Sequence, residues 1–89
     1  MCRNIRPLFN YDPPATDEEI YASALQFVRK VSGSSFPSKI NEKIFYQTVI
    51  TISGQVKDLL ENLETTSPPK NREVEREKAK QRNLKRFGS

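Results

Sequence analysis

Histidine and tryptophan are missing from this chain of 89 residues, and cysteine and methionine occur once each. Without histidine, the commonest general base and the commonest metal ligand are both gone. With Cys2 as its only cysteine the chain can form no intramolecular disulfide, and no Cys/His zinc spacing can be drawn. Glycine is limited to Gly33, Gly54 and Gly88, so no glycine-rich phosphate loop can be written. No apolar run approaches the ~18 residues of a membrane span. The opening Met1-Cys2-Arg3-Asn4-Ile5-Arg6-Pro7 has two arginines but no apolar stretch behind them, unlike a secretory signal. These absences point away from an enzyme, a cofactor or a membrane anchor. With a lone cysteine they suit a soluble chain of the reducing cytoplasm.

What is present is unevenly spread. Lysine and arginine number 15 against 11 acids, a net charge of +4. Residues 67–89 hold eight of the basic side chains and three of the acidic ones, so this segment alone exceeds the whole surplus. It also holds four apolar residues, against 27 in residues 1–66. The chain therefore divides at Ser67-Pro68-Pro69 into a core-forming part, 1–66, and a basic tail, 67–89.

Pro7 and Pro13-Pro14 oppose helix near the N-terminus and drive the residues before them to extended backbone. This arm is expected to lay Ile5, Leu8, Phe9 and Tyr11 against the helices that follow. Thr16 and Glu19 spell a capping box, and Asp17, Glu18 and Glu19 suit the positive end of a helix. Apolar residues recur at Ile20, Ala24, Phe27 and Val31, with Tyr21, Leu25 and Val28 beside them, until Ser32-Gly33 stops the helix. A second helix has two candidate caps, Ser38 and Asn41, the latter with Ile40 stapled on Phe45. Then Phe45, Val49, Ile52, Val56, Leu59 and Leu63 follow at 4-3-4-3-4 spacing, a heptad seam widened by Leu60. Gly54 within it marks a close approach of another helix.

Beyond Pro69, Asn71 can cap a third stretch, in which Glu73 with Arg76 and Glu77 with Lys80 stand at pairing distance. Its apolar residues Val74, Ala79, Leu84 and Phe87 form no stripe, so docking on the core is not implied. No β pattern competes. The predicted fold is all-α: an extended N-terminal arm, an antiparallel two-helix hairpin at roughly 16–32 and 39–64, and a basic C-terminal helix. Phe27, Val31, Val49, Ile52, Val56 and Leu59 are the predicted core.

The tail is the leading functional candidate. Lys70, Arg72, Arg76, Lys78, Lys80, Arg82, Lys85 and Arg86 can neutralise phosphates without reading sequence. Three glutamates dilute the field, and no aromatic side chains interleave to stack bases. The competing readings are an acidic protein surface as partner and a merely solvated helix. Cys2, flanked by Arg3 and Arg6, has the surroundings of a reactive thiolate but no base to work with, so a buried or incidental thiol is the better reading. The heptad seam is expected to pack on helix one. Homodimer formation through it is the alternative, because chains this small often complete a core by association.

Met1-Cys2-Arg3-Asn4-Ile5, Pro13-Pro14-Ala15-Thr16, Glu18-Glu19-Ile20, Phe27-Val28-Arg29-Lys30-Val31-Ser32-Gly33 and Pro37-Ser38-Lys39 with Asn41 resemble an uncharacterised family of small proteins, a domain of unknown function. Pro68-Pro69, Arg72-Glu73-Val74-Glu75 and Lys78-Ala79 carry the resemblance into the tail. It implies that the basic segment belongs to the same unit, and it supplies no activity, substrate or site. This chain departs from it in the bulky Ile40 and Ile44. The expected function is a small non-enzymatic binding module engaging nucleic acid, RNA ahead of DNA. The alternative is a protein-interaction subunit using the heptad seam of helix two.

Overall fold

Thr16 starts the first helix as its sequence predicts. In the computed structural model, which describes the backbone of residues 5–87 and the side chains of residues 5–82, its hydroxyl accepts from the Glu19 amide at 3.2 Å. The Glu19 carboxylate accepts in return from the Thr16 amide at 2.9 Å, which completes the capping box. Helix α1 runs Asp17–Ser32 and ends on Gly33, whose φ of 71° lies in the left-handed region that glycine enters without penalty. A 3-10 turn, Lys39–Asn41, leads into α2, Glu42–Asn62. Ser38 precedes the turn, and Asn41 stands before α2 without a side-chain cap, giving its amide to Ser38 Oγ at 3.0 Å. Cys2 lies outside the described residues.

Helices α1 and α2 pack together through Ala24 and Val28 on one side and Phe45 and Val49 on the other, all buried, with Leu25, Tyr46 and Ile52 partly buried around them. Ile20 is buried too, and no polar or charged residue joins this core among the described residues. The predicted core is corrected here. Val49 is buried, and Ile52 and Val56 are half-buried, but Phe27, Val31 and Leu59 are 49%, 71% and 54% exposed. On α1 the row that meets α2 is Ile20, Ala24, Val28, a four-residue ridge against the four-residue ridge Phe45, Val49. The 20-24-27-31 reading turned the helix face by one neighbour.

The α2 seam fades for another reason. With 16 residues α1 is about 24 Å long, and with 21 residues α2 is about 32 Å. Lys57 meets Asp17 at 3.2 Å, in the first turn of α1, so Leu59 and Leu63 lie beyond its cover. Two further expectations fail. Ile40 is 89% exposed and staples nothing on Phe45. A Cβ at Gly54 would meet no atom within 4 Å, so this glycine serves no close helix approach. Gly54→Ala should therefore stabilise the fold by about 0.5–1 kcal/mol, read as a higher thermal midpoint.

The sequence also hid a strand pair. Tyr11–Asp12 forms β1, Lys70–Asn71 forms β2, and the two lie parallel with Tyr11 opposite Lys70. Strands of two residues are too short to show a period, and their partners lie far apart in the chain. After β2, helix α3 spans Arg72–Phe87, with Asn71 Oδ1 accepting from the amides of Glu73 and Val74 at 2.9 and 3.1 Å. That cap was predicted. The described residues are thus mostly helical, with three α-helices and a small parallel β pair.

Candidate nucleic-acid interface

A clasp of side chains fixes the base of the basic helix to the body. Asn10 adopts φ 64°, a conformation asparagine tolerates better than most residues. From there its side-chain amide donates to the carbonyls of Ser67 and Pro68, at 3.3 and 3.1 Å, and its own carbonyl accepts from the Lys70 amide at 2.7 Å. Hydrogen bonds thus cross the compositional boundary at residue 67.

Arg72 completes the clasp. Its Nε donates to the Pro13 carbonyl at 2.7 Å, and its two terminal nitrogens grip both oxygens of Glu19 at 2.8 and 2.9 Å. This planar fork is a geometry that arginine supplies and lysine does not. The Arg72 hydrogen bond, followed by that of the Thr16 amide, holds the Glu19 carboxyl down at about 2, well below its ordinary 4.5. Arg72 and Lys70 also stand over the Tyr11 ring, at 5.6 and 5.5 Å from its centre.

The predicted phosphate ligands fall into three groups. Lys70 and Arg72 serve the clasp. Arg76, Lys78, Lys80 and Arg82 are exposed along α3, with Lys78 paired to Glu75 at 3.7 Å. Lys85 and Arg86 lie within α3, but their side chains are outside the described residues. The expected pairs Glu73–Arg76 and Glu77–Lys80 do not form. Glu77 instead accepts from Gln81 at 3.2 Å. Arg76 and Lys80 continue the four-residue row that Arg72 begins.

Helix α3 makes its main contacts with β2 and no extended packing against α1 or α2 among the described residues. Its apolar side chain nearest the clasp, Val74, is 50% exposed. The radius of gyration, 15.9 Å, exceeds the roughly 12 Å expected for a compact chain of this length, as a projecting helix requires.

Sequence reasoning missed Asn10, Tyr11 and the second role of Glu19. Glu19 was already explained by the capping box, and its partner lies 53 residues away with no periodic signal to link them.

The fold and its side chains define a small helical protein. Among the described residues no group of three or more Cys, His, Asp or Glu side chains is placed to hold a metal ion, and no helix is long and apolar enough to cross a membrane. Residues 1–78 match the family described as an uncharacterised conserved protein, DUF2277, and the chain belongs to it. No curated protein and no solved structure matches the chain.

Proposed function

We propose that this chain is a small non-enzymatic binding module of the cytoplasm whose basic helix engages nucleic acid, RNA ahead of DNA. One observation carries the reading: α3 leaves the body from a clasp that already uses Arg72, while Arg76, Lys78, Lys80 and Arg82 stand exposed along it. The helix is thus held at its base and open along its length, which suits a phosphate backbone that needs charge at a fixed position. The contacts of Asp17 with Lys57, and of Val28 with the Phe45 end of α2, support an antiparallel hairpin as the platform beneath it.

Titration with single-stranded and duplex RNA at physiological salt tests the proposal. If about four phosphates are neutralised, log affinity for single strands should fall with log salt at a slope of roughly -3. Exchanging bases should matter little, because no aromatic residue interleaves with the charges between Arg72 and Arg86. Deleting residues 73–89 should abolish binding and keep the body folded, since Arg72 stays in place. Deletion from residue 70 would also cut the clasp and is the wrong control. No binding by the intact chain at tens of micromolar RNA would refute the reading. A protein-interaction role is the second reading, favoured by the exposure of Leu59 and Leu63 at the far end of the heptad seam.

A further inference from the structure

The chain exposes far more surface than its mass requires. A compact monomer of 10.3 kDa exposes about 5,400 Å². This one exposes 7557 Å². The projection of α3 accounts for part of the excess. The chain's exposed apolar residues include Phe27, Val31, Phe36, Ile44 and Leu59, each between 49% and 74% exposed. These residues are not scattered. At about 100° per residue, Ile44, Thr48, Ile52, Gln55 and Leu59 fall in one row on α2, beside the buried Phe45 and Val49. Ile44, Thr48 and Ile52 also line a groove of about 680 Å³ with Phe27, Val31 and Phe36 from the other wall.

We propose that this stripe is a homodimer interface in which the α2 helices of two copies lie antiparallel. Two features of the chain select a second copy. The first is charge. Lys39, in the turn before α2, and Lys43, in its first turn, are basic, while Asp58 and Glu61 stand near its end with Glu64 just beyond; Glu42, which opens α2, falls on the opposite side of the helix from Ile44, and Lys57 is engaged with Asp17. An antiparallel pair sets unlike ends together, and a parallel pair would set like ends together. The second is area. A stable homodimer takes about 800 Å² or more from each copy, and the stripe with the groove beside it offers Phe27, Val31, Phe36, Ile44 and Leu59, each 49% or more exposed, without drawing on α3.

The row is also self-complementary. A two-fold axis between Thr51 and Ile52 sets Ile44 of one copy opposite Leu59 of the other, and Thr48 opposite Gln55. The second copy's Leu59 then enters the groove beside Phe27 and Val31, and Lys43 comes within a turn of Asp58 and Glu61. This interface does not depend on α3 or on nucleic acid.

Sedimentation of the full chain, from micromolar to a few hundred micromolar, tests it together with circular dichroism. Wild type should sediment as a dimer, and Leu59→Asp as a monomer of unchanged helix content. Lys43→Glu and Asp58→Lys should each weaken the dimer by roughly tenfold, and the two together should restore it, because each copy then offers the reversed charge to its twin. The double variant tests the contact even where Leu59→Asp unfolds the chain. A wild-type chain that stays monomeric overturns the proposal and leaves the stripe to an unlike partner. A double variant no tighter than the singles overturns the antiparallel pairing.

Discussion

Phe45→Ala should leave little folded protein at room temperature. Phe45 is 7% exposed, stacks edge-on against Tyr46 at 5.1 Å, and belongs to a core in which, among the described residues, only Ile20, Ala24, Val28 and Val49 are comparably buried. Removing a buried phenyl ring costs about 3–5 kcal/mol, and the remaining helices cannot close over the cavity without losing the Val28 and Val49 contacts. Small domains hold about 5 kcal/mol or little more in total, so the loss consumes most of it. Circular dichroism should show a collapsed thermal transition. Leu59→Ala is the contrast: half-exposed and beyond the reach of α1, it should cost less than about 1 kcal/mol in the monomer. A Leu59→Ala variant as damaged as Phe45→Ala would mean that the seam, and not the ridge pair, carries the core.

The second large effect is expected in acid. The Glu19 carboxyl is held at about 2 in the folded chain and returns to its ordinary 4.5 on unfolding. Its contribution is therefore complete above pH 4.5 and is lost as pH falls towards 2, because the unfolded carboxyl takes up its proton first. The Glu19 side chain is 35% exposed. Solvent screening discounts the value of the shift, and about 1–2 kcal/mol is the expected loss. Glu19→Gln should flatten this acid limb, since glutamine can still accept from the Thr16 amide but offers no charge to Arg72. Denaturation midpoints across this pH range give the limb directly. The same variant should weaken protection of the Lys70 amide in hydrogen exchange, as should Arg72→Lys, which keeps the charge and loses the fork. An unchanged acid limb in Glu19→Gln would remove the ion pair from any part in stability.

The sequence by itself determined the local events. Thr16 with Glu19, Gly33 and Asn71 each act on backbone within four residues, so their capping roles follow from residue type and spacing alone. Helices α1 and α2 follow from periodicity, and the charge of the tail from composition. Tertiary structure decided everything that depends on which neighbour a face meets. Ile20, Ala24 and Val28 form the buried row, in place of Ile20, Ala24, Phe27 and Val31, because ridge packing selects one of two adjacent apolar rows that hydropathy cannot tell apart. Leu59 and Leu63 share the spacing of Phe45 and Val49 but not their burial, because α1 is too short to reach them. Glu19 carries a local role that its sequence spells and a distant one that it does not. The fork to Arg72 exists because the arm returns residues 10–13 to the start of α1, where Pro13 and Glu19 present three acceptors to one guanidinium. No spacing rule reaches across 53 residues, and only the closed fold brings the two side chains together.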